Sequence, residues 1–209
     1  MSVTTFARAT GCLVKPVSRA VDWVPFAVAV PAILALALVT EAEPVTLAAT
    51  VRLGALLLGA AAGFAMVDPV AVVTPVPRWV RQWLRTTLAF AAAAVAWCVV
   101  FAVLAFRAVP GVDTGFGGYA LEAAVCVSAG LACTAVVATR RADRMTGAVG
   151  AAVLLAVAAS TLFYEGRVWP LPEEPEWAAV HQAWLFAFPV PLTILTLANG
   201  WAERVTASA

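Results

Sequence analysis

The chain has 209 residues, of which 63% are apolar and only 12% charged, with a mean hydropathy of +0.94 and a formal net charge of +1. So few charges cannot cover a water-soluble globule, which ordinarily carries about 25%, and a balance near zero argues against nucleic-acid binding through a concentrated basic face. A single histidine, His181, and four cysteines without a CxxC pair argue against a histidine-rich or ribbon-type metal centre, and no metal or other cofactor is expected.

The first segment, 1–20, places Arg8, Lys15 and Arg19 within roughly 40° of one another on a helix, with Phe6, Leu13 and Val17 opposite. This is the pattern of a basic amphipathic helix that lies flat on a membrane surface, although Gly11 and Pro16 interrupt it and a basic tail that only sets topology has the same composition. Apolar runs then follow at about 23–40, 46–66, 86–106, 119–139, 146–163 and 181–201. Each is close to the ~20 residues that cross a hydrocarbon core as a helix, and none alternates as a barrel strand would. The expected fold class is therefore all-α, a polytopic membrane bundle of six transmembrane helices. Ala35-Leu36-Ala37 has the look of a signal-peptidase site, but the length of the first run and the five that follow favour an uncleaved helix.

Basic residues set the orientation. With the N-terminus in the cytosol, Arg8, Lys15, Arg19, Arg78, Arg81, Arg85, Arg140, Arg141, Arg144 and Arg204 fall inside, and only Arg52, Arg107 and Arg167 outside. Both termini are then cytosolic. Trp23, Trp79, Trp83 and Trp201 fall at the inner boundary and Trp169, Trp177 and Trp184 at the outer one, where indoles anchor helices.

Between the second and third spans, 67–85 reads VDPVAVVTPVPRWVRQWLR. Pro69, Pro75 and Pro77 break the chain, and a short cytosolic helix is expected to begin near Arg78. On it Arg78, Arg81 and Arg85 share one face and Trp79 and Trp83 another, a surface suited either to lipid headgroups or to a partner protein. The outer loop 164–180, with Pro170, Pro172 and Pro175 among its residues, reads either as a cap that dips back to the interface or as a connector. Arg52 and Glu122 are the ionisable groups set in the outer parts of spans; each needs a partner or a short route to water, and they are expected either to pair or to snorkel. Gly59 and Gly63 form a small-xxx-small stripe that serves helix packing or a dimer seam. No catalytic constellation emerges: Ser128 lacks a GxSxG frame, and no GxxxxGK[ST] loop is present.

This arrangement resembles the membrane subunits of type-2 ABC exporters, with Thr4–Arg19 matching their amphipathic helix, Pro77–Arg85 their ATPase-coupling helix and Tyr164–Val180 their outer hairpin. The run Asp68-Pro69, Pro75-Val76-Pro77, Arg81, Arg85, Leu88-Ala89 and Trp97 is similar to one in uncharacterised membrane proteins of high-GC Gram-positive bacteria. The resemblance implies a transporter subunit of the bacterial plasma membrane that works with a separate ABC ATPase, docked through Arg78, Trp79, Arg81, Trp83 and Arg85, and that assembles as an oligomer. The alternative expectation is a non-transporting anchor or assembly subunit of another membrane complex.

Overall fold

The computed structural model describes residues 13–40, 43–67, 77–107, 115–140, 145–161, 163 and 168–206. Eight helices are present among them: α1 (Leu13–Ala20), α2 (Val24–Val39), α3 (Pro44–Phe64), α4 (Arg78–Arg107), α5 (Phe116–Ala138), α6 (Met145–Thr161), α7 (Trp177–Ala187) and α8 (Pro189–Thr206). The described residues hold no strand. The molecule is an all-helical bundle of membrane-spanning type. Four stretches are long and apolar enough to cross a bilayer: α3, residues 79–107 of α4, α5, and the joined α7–α8 from Trp177 to Gly200. A fifth results if α1 and α2 count as one broken span, and α6, with 17 residues, is a shorter apolar helix.

Helix starts follow the prolines. Pro25 and Pro44 stand in the first turns of α2 and α3, where a missing N–H leaves no bond unmade. Pro189 and Pro191 follow Phe188, the break between α7 and α8, and deny that joint two backbone donors. α1 meets α2 at 72°. The elbow is held by the Trp23 indole donating to the Ser18 carbonyl at 2.6 Å and by the Val24 amide donating to Asp22 at 3.1 Å. On α1, Val17 is buried while Lys15 and Arg19 are exposed, so the amphipathic face expected from the sequence is present over the described part of 1–20.

One boundary differs from expectation. The short helix beginning near Arg78 and the third span are a single α-helix of 30 residues, about 45 Å long at 1.5 Å per residue. Neither glycine nor proline occurs between Arg78 and Arg107, so nothing in the backbone interrupts it. The proline-rich part of that connection, 68–76, lies outside the described residues.

α3 and α5 form the centre of the bundle, with α2, α4 and α6 against α3 and with α6, α7 and α8 against α5. Glycine sets how closely they meet. A Cβ on Gly130 would fall 2.0 Å from the Gly59 carbonyl oxygen, and one on Gly59 would fall 2.5 Å from the Cys126 carbonyl oxygen. α6 joins the same seam, since a Cβ on Gly150 would lie 2.0 Å from Thr134 Oγ1. The stripe at Gly59 and Gly63 therefore packs helices within the chain; its two readings are resolved in favour of the internal one, because α5 fills the groove that a second copy would need.

Candidate functional site

Charged side chains inside the bundle gather at its two ends. At the end where α3 and α5 begin, Arg52 lies two turns into α3, about 12 Å from its start, and Glu122 lies about 9 Å into α5. The two face each other across the seam. Arg52 Nε donates to Glu122 Oε2 at 3.0 Å and Nη2 donates to Oε1 at 3.2 Å, a two-pronged contact that matches the planar guanidinium to the planar carboxylate. Glu122 is 1% exposed. Arg52 further donates through Nη1 to the Trp169 carbonyl at 2.9 Å and through Nη2 to the Pro170 carbonyl. The loop before α7 is thus tied down by its backbone: Pro170 is buried, Trp169 is half-buried, and the Trp169 indole donates to Thr161 Oγ1 at 2.7 Å. The described residues 168–180 cover this end of the bundle as a cap.

His181, from the second turn of α7, completes the group. Its Nε2 lies 3.1 Å from Glu122 Oε1 and its Nδ1 lies 2.8 Å from the Trp177 carbonyl one turn earlier. Tyr119 and Trp169 present their rings to the Arg52 guanidinium, with centroids 5.5 and 5.4 Å from its carbon, and the Trp177 ring lies 3.8 Å from the imidazole. Gly118 permits this approach, because a Cβ there would meet Trp177 at 2.3 Å and His181 Nε2 at 2.7 Å. Arg52, Glu122 and His181 thereby join α3, α5, α7 and the loop in one node. Removing one member of such a buried charged set ordinarily costs about 3–5 kcal/mol.

Beside the node a groove of about 520 Å³ runs between α3 and α6 beneath the loop. Val45, Leu53, Leu56 and Leu155 line it, Trp169 roofs it, and Arg52 supplies its polar wall.

At the opposite end, Arg85 is 1% exposed. Its guanidinium donates to the Ala65 carbonyl at 3.3 Å, to the Val67 carbonyl, and to the Ala20 carbonyl at 3.3 Å. It therefore closes the C-terminal ends of α3 and α1, whose last carbonyls have no partner within their own helices. Arg81 is 5% exposed. This corrects the expectation for the docking surface: Arg81 and Arg85 point into the bundle and do not form an outward basic stripe. Trp79 is exposed at 39% and Trp83 is half-buried, while the side chain of Arg78 lies outside the described residues. The physical reason is the bare carbonyls at the ends of α1 and α3, which take up a long cationic side chain that an isolated helix would turn to water.

Ser128 is buried and donates to the Val125 carbonyl at 2.9 Å, away from the His181 contacts. Glu173, Glu174 and Glu176 stand exposed on the cap. Reasoning from sequence singled out Arg52 and Glu122 but passed over His181 as their partner. The one available signal was the four-residue spacing of Trp177 and His181, which sets ring and imidazole on one helix face.

These features define a class, a helical membrane bundle with an internal charged node at one end and an arginine-sealed elbow at the other. No protein-family model matches the chain, and neither a curated protein nor a solved structure matches it.

Proposed function

We propose that the protein is a non-enzymatic, multi-pass subunit of the bacterial plasma membrane that anchors or assembles a larger membrane complex, crossing six times with both termini in the cytosol. The observation that carries this reading is the glycine-closed seam between the two charged ends. α3 and α5 approach to backbone contact at Gly59 and Gly130, and the charges above and below that contact are turned inward onto carbonyls and onto one another. A polar solute has no room between those two helices. What remains for function is the outer surface, and that surface is apolar over α6 and over α7–α8, where Val149, Val153, Leu155, Phe186, Val190 and Leu197 are exposed.

The experiment is chemical crosslinking in native membranes followed by purification of the full chain, with reporters on both termini. A partner retained without nucleotide and two cytosolic reporters are the expected results. Reporters on opposite faces would remove the topology, and a chain recovered alone would remove the assembly role.

A second reading, a transport subunit driven by a separate ABC ATPase, draws support from the 72° elbow with Lys15 and Arg19 exposed on α1. Docking would then rest on Trp79 and Trp83, and the path would lie between subunits. Recovery of an ATPase that is lost in Trp79→Ser/Trp83→Ser would establish this reading over the first. Arg81→Glu or Arg85→Glu would not discriminate, since both side chains are internal.

A further inference from the structure

The groove beside the node has the dimensions of one lipid chain. Its lining on α3 runs from Val45 to Leu56, about 16 Å at 1.5 Å per residue. Half of a ~30 Å hydrocarbon core, the depth that the chains of one leaflet fill, is about 15 Å. The volume of about 520 Å³ lies within the ~300–1,000 Å³ of small-molecule sites. Alanines at 48, 49, 158 and 159 keep the space between α3 and α6 hollow, and Trp169 and Leu171 close it at the end where α3 begins. Ala49, Leu53, Leu155 and Ala159 are exposed, so the groove opens on the flank of the bundle, where lipid lies.

The one charged residue of the lining, Arg52, narrows the occupant. A guanidinium carries five N–H groups. Four are used: Nε on Glu122, one of Nη1 on the Trp169 carbonyl, and both of Nη2 on Glu122 and the Pro170 carbonyl. The fifth, on Nη1, has no acceptor among the described residues, and the side chain keeps 13% of its surface exposed. The charge of Arg52 is already met by Glu122, so an anion at this wall would stand beside a carboxylate. The complementary group is a neutral acceptor. A partner's helix does not supply one, because its carbonyls are bonded within the helix. A phospholipid ester carbonyl does, and it lies at the right level. Side chains on a helix lean toward its N-terminus, which carries the guanidinium back from its own Cα to the carbonyls of the loop at the membrane edge.

We propose that the groove is a phospholipid site in which one acyl chain lies along Leu53, Leu56 and Leu155 and its ester carbonyl accepts the remaining Nη1–H of Arg52. The headgroup stays at the membrane edge beside Trp169. The chain fills the space that α3 and α6 leave beneath the loop. This site stands whether or not the protein assembles a larger complex.

The test reconstitutes the full chain in phosphatidylcholine vesicles that contain a small fraction of the same lipid with a photoreactive diazirine in its acyl chain. Label is expected to concentrate on residues 45–56 and 155–159, above the level on Val190 and Leu197, which are exposed on α8 outside the groove. Label spread evenly over all exposed apolar residues would overturn the site. Ala159→Phe, at an exposed position of the lining, is expected to remove the groove label and leave that on α8 unchanged. Val157→Phe, on the same helix but outside the lining, is expected to keep both. Groove label that survives Ala159→Phe would likewise overturn the site. Competition by unlabelled lipid reads the carbonyl contact on the natural protein. An ether-linked lipid, which lacks ester carbonyls, should compete roughly two- to tenfold less well than its ester counterpart, the worth of one hydrogen bond. Equal competition would remove the role of Arg52, and free oleate displacing the label better than the diacyl lipid would overturn the choice of a phospholipid.

Discussion

Adding a single methyl group at Gly130 tests the contact on which the bundle is built. Its Cβ would lie 2.0 Å from the Gly59 carbonyl oxygen and 2.7 Å from the Gly59 carbonyl carbon. Ordinary contact begins near 3.4 Å, so α3 and α5 must separate locally by about 1.4 Å (3.4 less 2.0), and the obstacle is backbone that cannot rotate aside. Overpacking of this kind costs about 1–3 kcal/mol, and the rigid obstacle puts Gly130→Ala at the upper end. Better helix propensity returns about 1 kcal/mol. The net expectation is a loss of roughly 1–2 kcal/mol. Gly200→Ala is the matched control, because a Cβ there meets nothing within 4 Å and the propensity gain stands alone. Reversible unfolding in mixed micelles, followed by tryptophan fluorescence, reads both. If Gly130→Ala proves as stable as Gly200→Ala, the two helices do not approach as described and the sealed seam fails with them.

Two other outcomes follow from the charged ends. Arg85→Met should destabilise the fold by about 3 kcal/mol or more, since three carbonyls lose a buried donor at about 1–3 kcal/mol each, whereas Trp79→Ser, on an exposed side chain, should stay within about 0.5 kcal/mol; the same unfolding assay compares them. At the node, a double-mutant cycle with Arg52→Met and Glu122→Gln should give a coupling of at least about 1 kcal/mol, and additive single changes would show that the ion pair does not join α3 to α5.

The composition and the six apolar runs settle the class of molecule, because a chain this poor in charge has no stable arrangement in water and must close its backbone hydrogen bonds within helices once in lipid. The ends of α2, α3, α5 and α6 are legible to within about three residues for the same reason, with Pro25 and Pro44 marking two of the starts. Arg52 and Glu122 could be named as groups in need of partners because charge in an apolar run is costly. Tertiary structure alone decided who those partners are. Helical periodicity fixes which side chains share a face, and it does not say which neighbour that face will meet. Glu122 and His181 are 59 positions apart, and Arg85 reaches carbonyls 18, 20 and 65 positions away, because folding brought acceptor-rich helix ends beside long cationic side chains. An arginine on an isolated helix belongs in water; beside the bare carbonyls that end α1 and α3, it belongs in the bundle.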